Sequence, residues 1–445
     1  MGEHKTYLIA TMGCQMNVYD SEVLAGYLES MGFAPAAAEA DADILILNTC
    51  AVRQKAEEKV LSKLGMWRTL KEDNPDMLMV LWGCMVQQKG MAEHIRRRFS
   101  HVDLIGGPHV LGQFPELIEE ARISRKTVVS VDEGERKGIE FPVKRAHSLF
   151  AWVPISYGCN NYCTYCVVPY VRGPEISRAP AEVIEEVERL AQNGYREITL
   201  LGQNVNSYGK DLEQNIDFAD LLQMVSQIPG LMRIRYMTSH PRDFTEKMAH
   251  IVAQESNICE HFHLPLQAGS NRILELMNRG YSRESYLELV IKIREIVPHC
   301  SITTDFIVGF PGESEKDFEL TMDMLEKVRF DASFNFIYSP RQGTAAATMP
   351  EQVPAAKKRA RIIALNKRQA QIGQEINEQL VGTKQELLVE GKSKTDTSHF
   401  SGRTRTNKIV HFLATDAPEG SVTTVEILEA KAWTLRGRRI KRDII

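Results

Sequence analysis

The sequence predicts an α/β protein in three parts: an N-terminal open parallel-sheet domain, a central partial (β/α)6 barrel and a small C-terminal all-β barrel. Three observations predict it. The chain has 445 residues, too many for one ordinary core. Short apolar runs alternate with amphipathic helical stretches through most of its length, a pattern that favours parallel sheets. Residues 381–445 lose that alternation and show only short β-type runs between turn residues.

Taken in order, "TYLIAT" (6–11), "ADILILN" (42–48) and "DMLMVLW" (76–82) are strand candidates, each followed by a helical stretch, which gives an open sheet over 1–125. The polar run 131–148 makes 126–148 a linker. Strand candidates then recur at "WVPISYG" and at 196–202, 233–238, 261–267, 301–310 and 332–338, with helices such as 180–194 between them. Six such units suggest an incomplete barrel over 149–380, closed off by a helix at 355–380. The tail runs "QELLVEG", "IVHFLA" and "SVTTVEILEA" make 381–445 a small barrel.

Composition excludes several classes. At 43% hydrophobic and 25% charged the chain is globular, and its apolar runs are of strand length, far short of a membrane span. The N-terminus has no basic region followed by a long apolar stretch, so a cytoplasmic location is expected. Eight cysteines in such a chain argue against a disulfide framework and for metal or redox chemistry. Cys259 and Cys300 lie in strand-like runs and read as buried small hydrophobes. The net charge of −4 is uneven: residues 381–445 carry 12 Lys and Arg against 8 Asp and Glu, a basic tail on an acidic body.

"GCNNYCTYC" (158–166) places Cys159, Cys163 and Cys166 at the end of the barrel's first strand. A zinc site would need a fourth ligand that the motif lacks, and a disulfide would leave an odd thiol. A [4Fe–4S] cluster on three thiolates leaves one iron open to an amino and a carboxylate group. A second set is scattered: Cys14, Cys50 and Cys84 each follow a strand candidate closely. Adjacent strand ends of a parallel sheet open on one crevice, so these thiols converge. A second three-thiolate cluster there would again have a free iron, able to hold a sulfur atom for donation.

The C-x3-C-x2-C spacing with Tyr165 before the last cysteine resembles the signature of radical S-adenosylmethionine enzymes. "GCQMNVYDSE" (13–22), "NTCAVRQKA" (48–56) and Gly83-Cys84 resemble the N-terminal module of methylthiotransferases, and the tail resembles a TRAM RNA-binding barrel. Residues 157–178, "LLGQNVNSYG" (200–209) and "TSHPRDF" (238–244) are similar to the MiaB-type tRNA enzymes, with one departure at Pro174-Glu175, where an Arg is expected. The resemblance implies two [4Fe–4S] clusters, two S-adenosylmethionines and methylthiolation at C2 of N6-isopentenyladenosine beside the tRNA anticodon. An aryl C–H is not acidic enough for a side-chain base, so no catalytic base is named. Expected partners are such a tRNA, an electron donor such as a flavodoxin or ferredoxin, and a sulfur or cluster donor.

The same resemblance puts Gly202, Gln203 and Asn204 on the cofactor's amino group, and Gln267 and Ser270 follow another strand, at the end of a barrel where cofactor contacts lie. Arg279 could face a carboxylate, and 303–313, with Asp305 and Val308, resembles an adenine-facing segment. The glycines at 106–107 and in "VGFPGES" lack the Lys-Ser/Thr of a phosphate loop. His261 and His263 share a strand face and read as interior packing. In the tail, Lys392, Lys394, Arg403, Arg405 and Lys408 are candidate phosphate contacts, with His399 and Phe400 as stacking faces. Two other substrates fit the same chemistry, a ribosomal-protein aspartate and threonylcarbamoyladenosine in tRNA. A non-catalytic iron–sulfur RNA binder would need no open iron within a barrel.

Overall fold

A computed structural model describes residues 5–51, 54–124, 126–131, 141–393, 396–414 and 416–440. The N-terminal sheet comprises β1 (Thr6–Met12), β2 (Ala34–Pro35), β3 (Ile44–Thr49), β4 (Leu78–Gly83), β5 (Leu104–Gly106) and β6 (Val128–Ser130), all parallel in the order β2-β1-β3-β4-β5-β6. Every residue of β3 and β4 is buried, which is why their sequences are apolar on both faces. Helices Gln15–Ser30 and Phe114–Ile123 cover one face with Leu24, Trp82 and Phe114. Helices Gln54–Asp73 and Met91–Arg98 cover the other with Leu64, Leu45 and Ile95. The strands of two and three residues escape sequence periodicity because they are too short to show it.

The register of this sheet positions the thiols. Met12 pairs with Thr49, and Thr49 with Gly83, so the chain leaves all three strands at one level, immediately before Cys14, Cys50 and Cys84. Of the expected linker, residues 132–140 lie outside the described residues. Residues 141–148 are a strap rather than a loose spacer. Phe141 and Val143 pack on the N-terminal core, and a Cβ on Gly26 would lie 2.1 Å from the Pro142 carbonyl oxygen.

The central part contains β7 (Phe150–Pro154), a short antiparallel pair β8 (Ser156–Tyr157) and β9 (Ile176–Ser177), then β10 (Glu197–Leu201), β11 (Arg233–Tyr236), β12 (His261–His263), β13 (Ser301–Val308) and β14 (Ala332–Ile337). Parallel sheets β7-β10-β11 and β12-β13-β14 are linked through an Ile234–Ile258 bridge. The outer strands β7 and β14 belong to different sheets, so the barrel stays open along that side, as the six-unit pattern suggested. Helix Ala355–Glu378 packs along β14.

The tail is a closed barrel of β15 (Lys384–Lys392), β16 (Phe400–Arg403), β17 (Ile409–Leu413), β18 (Val422–Ala430) and β19 (Thr434–Arg439), around Val410, Phe412, Ile427 and Leu435. The sequence pattern finds three of these strands. "FSGR" and "TLRGRR" carry too few apolar residues to stand out, and only pairing makes them strands. Among the described residues no helix is long and apolar enough to cross a membrane.

Candidate active site

After β8 the chain turns at Gly158, whose φ of +71° and crowding (a Cβ would lie 1.9 Å from the Pro174 carbonyl oxygen) admit only glycine. The loop that follows is pinned at several points. Cys159 N donates to Gly173 O at 3.2 Å, Cys166 N to Cys163 O at 2.9 Å, and Thr164 Oγ1 to Leu276 O at 2.8 Å. Arg279 is buried and ties the loop to the end of β12: Nη1 reaches Cys163 Sγ at 3.3 Å and the Tyr165 hydroxyl at 3.4 Å, and Nη2 donates to Pro265 O at 2.8 Å. Its Nε donates to the Tyr281 hydroxyl at 2.9 Å, so all three nitrogens are engaged within the protein rather than held out for a carboxylate.

The three thiols lie within electrostatic reach of one another. Burial pushes Cys159 up to about 11, and burial with Cys163 beside it pushes Cys166 up to about 12. Cys159 and Cys166 keep their protons until a metal displaces them, because a coordinating thiol is deprotonated outright. Among the described residues neither trio is drawn into a group that would hold a single metal ion.

In the N-terminal domain Cys14 caps helix Gln15–Ser30 and its Sγ bonds Asn17 Oδ1 at 3.3 Å. Asn17 is fully buried and joins strand ends: its Nδ2 donates to Asn48 Oδ1 at 3.2 Å and Thr49 O at 3.1 Å. Cys84 N donates to Thr49 O at 2.9 Å after Gly83, whose φ is +107°. Cys50 and Cys84 are buried and Cys14 is exposed. Burial pushes the Cys84 thiol up to about 12, against the pull of Arg172, with Cys50 and Cys14 adding to the rise. Cys84 thus lies within electrostatic reach of Cys50 and Cys14.

The segment that follows the first trio packs beside the second. Helix Val168–Arg172, which follows Cys166, packs with Val167 and Val171 against Ala51 and Cys84. Met16, next to the Cys14 turn, packs with Tyr157 and Leu201 beside Trp152 and Met237 of the barrel. Buried Arg145 joins Glu22 at 3.1 Å to Glu186 at 2.5 Å, and Arg341 meets Glu57 at 2.9 Å. None of these pairings is local, and a sequence gives no sign of them.

The barrel's upper strand ends present buried polar atoms with no hydrogen-bond partner: Ser156 Oγ, Ser239 Oγ, His240 Nε2 and Gln267 Oε1. Such orphans are costly unless a ligand meets them, so this rim fits a polar cofactor. Gly202 lies against Ser156, where a Cβ would stand 2.9 Å from its Oγ, and Gln203 beside it is half-buried. Gln267 has φ +74°, and its backbone pairs with Asp305 and Ile307. Asn204 and Ser270 are already satisfied: Asn204 Nδ2 donates to Asp243 at 2.7 Å, and Ser270 Oγ to Asp317 at 2.6 Å. Val308 belongs to the core. His261 and His263 each meet Thr303 Oγ1 at 3.0 Å, and His263 faces Asp305 at 3.5 Å.

Below them a cavity of about 570 Å³ runs between the central barrel and the tail, lined by His263, Phe334, Asn335, Arg403 and Trp433 among others. Phe334 and Trp433 are more than half exposed. Several tail cations are spent on docking. Arg405 bonds Glu260 at 2.9 Å and the Ser256 and Ile258 carbonyls at 2.6 Å, and Lys408 pairs with Asp331 at 2.6 Å. Arg403 meets Glu390 at 2.7 Å, Lys392 is exposed, and Lys394 lies outside the described residues. Arg233 and Arg235, which no sequence motif marks, donate to the Arg403, Thr404 and Arg405 carbonyls.

An open parallel barrel with a three-cysteine loop after its first strand defines a radical S-adenosylmethionine enzyme, and the Radical SAM superfamily matches residues 153–325. The uncharacterized protein family UPF0004 matches 6–107 and the TRAM domain 378–440. A protein of Natranaerobius thermophilus named tRNA-2-methylthio-N(6)-dimethylallyladenosine synthase is 52% identical over 98% of this chain and 97% of its own. One of the same name from Moorella thermoacetica is 52% identical over 98% of both. The chain belongs to the family of tRNA-2-methylthio-N(6)-dimethylallyladenosine synthases. Members are radical S-adenosylmethionine transferases of a sulfur-containing group that use S-adenosylmethionine and two [4Fe–4S] clusters. The fold is also that of the radical S-adenosylmethionine methyltransferase TsrM of Kitasatospora setae, at TM-score 0.55 and 15% identity over 87% of this chain and 79% of that one.

Proposed function

We propose that this chain converts N6-isopentenyladenosine beside the tRNA anticodon to its 2-methylthio derivative, with Cys159, Cys163 and Cys166 holding one cluster and Cys14, Cys50 and Cys84 the other. The packing of helix Val168–Arg172, directly after Cys166, against Cys84 carries the reading, because it brings both trios to one open barrel. When bound, the loop cluster supplies the electron that releases a 5′-deoxyadenosyl radical from S-adenosylmethionine, and the other supplies the sulfur.

The protein's own residues do the rest. Gly202, Gln203 and Gln267, with Ser156 and Ser239, hold the cofactor at the strand ends, beside Tyr165 and Asp305. Asn204, Ser270 and Arg279 fix the loops that carry them. Met16 and Trp152 narrow the barrel mouth against water, and the cavity beside Phe334 and Trp433 receives the anticodon loop. Exposed Lys392 takes phosphates, as does Arg403 at the cavity wall. The setting is the cytoplasm, with an electron donor such as a flavodoxin or ferredoxin and a sulfur or cluster donor.

The test is nucleoside mass spectrometry of isopentenylated tRNA after anaerobic incubation with cluster-reconstituted protein, S-adenosylmethionine and reductant. A 2-methylthio product is expected. Abundant 5′-deoxyadenosine with no methylthio nucleoside would remove this substrate.

A further inference from the structure

One side chain joins the two cysteine trios. Arg172 ends the helix that starts two residues after Cys166, yet its guanidinium lies in the N-terminal domain. Its Nε donates to Cys84 Sγ at 3.1 Å and its Nη2 to Asp20 Oδ2 at 2.8 Å. All three residues are buried, with Arg172 at 7%, Cys84 at 4% and Asp20 at 0% exposure. A buried guanidinium is tolerated only when paired, and its rigid fork fixes where both partners stand. Here one arm of the fork is spent on a carboxylate and the other is aimed at a sulfur. A plain structural ion pair would not need the sulfur, and Ala51, Val167 and Val171 already supply the apolar contact.

Resting on the reading in which Cys84 is a cluster ligand, we propose that Arg172 is a positioning residue that registers the N-terminal cluster against the barrel loop and raises its reduction potential. Potentials of such clusters follow net charge and hydrogen bonds to the ligating sulfurs. A cation against Cys84 favours the more negative, reduced form. Asp20 offsets part of that charge while holding the fork in place. The two residues therefore act on the potential with opposite signs.

The experiment uses the full chain with Cys159, Cys163 and Cys166 replaced by alanine, reconstituted with iron and sulfide so that only the N-terminal site is loaded. Its midpoint potential is followed by electron paramagnetic resonance, with iron content measured alongside. Arg172→Gln is expected to shift the potential negative and Asp20→Asn to shift it positive. Shifts of the same sign in both, or none in either, would overturn the proposal, since a merely structural pair has no reason to give opposite signs. Should Arg172→Gln lose its iron, Asp20→Asn decides alone: a positive shift supports the role and an unchanged or negative one ends it. If the triple-alanine parent takes up no iron, the assignment of Cys14, Cys50 and Cys84 fails first, and this role falls with it.

Discussion

Arg279 contacts Cys163, Tyr165, Pro265 and Tyr281 at once, so the cysteine loop and the end of β12 move together. Removing it takes that partner from Cys163 and the Tyr165 hydroxyl, at about 1–3 kcal/mol for a buried polar group left unpaired, while Pro265 O still accepts from the Tyr281 hydroxyl. Arg279→Ala should therefore cut 5′-deoxyadenosine formation by at least about 10-fold, a factor worth about 1.4 kcal/mol, while binding of tRNA is retained; unchanged formation would refute the role. His240 sets a pH limit. Burial, with Arg279 close by, lowers it from 6.5 to about 3. The unfolded chain then binds a proton that the folded one refuses, so stability is full above pH 6.5 and falls as pH drops toward 3. Melting temperature should decline across that window, less so in His240→Asn. At this scale the six cysteines were legible, because they follow strand ends or share a tight motif. Arg145, Arg172 and Arg341 were not, since their partners lie far along the chain.

Two elements decide how the tail meets the barrel. The turn after β16 carries Arg405, whose guanidinium occupies Glu260 and two carbonyls, and Arg233 and Arg235 return bonds to that turn. Sequence could show basic residues there but not that Arg405 and Lys408 face acidic partners across the interface. Arg405→Ala should destabilise this docking by about 1.5–3 kcal/mol, the scale of hydrogen bonds to charged groups. Faster amide exchange across 256–260 would show it, and unchanged exchange would contradict it. The turn between β18 and β19 carries Trp433, exposed at the cavity. Stacking of a base on an aromatic ring is worth about 1–3 kcal/mol, so Trp433→Ala should weaken binding of an anticodon stem-loop about 10-fold, measured by fluorescence anisotropy. Equal affinity would place the loop elsewhere. The strands missed in sequence, β2, β5, β6, β9, β16 and β19, are short or polar and exist through pairing rather than local preference.

Across the whole molecule, the order of sheet, open barrel and closed barrel was readable because hydrophobic period and turn chemistry change at each boundary. How the parts sit together was not, since that rests on buried arginines and on Met16 at the barrel mouth. The proposed reaction divides its labour between two cysteine trios held at one barrel. It is tested most directly by measuring 5′-deoxyadenosine and 2-methylthio nucleoside in the same anaerobic incubation, for the parent chain and for Cys50→Ala. Both products are expected from the parent and 5′-deoxyadenosine alone from Cys50→Ala. A methylthio product from Cys50→Ala at the parent's level would contradict it.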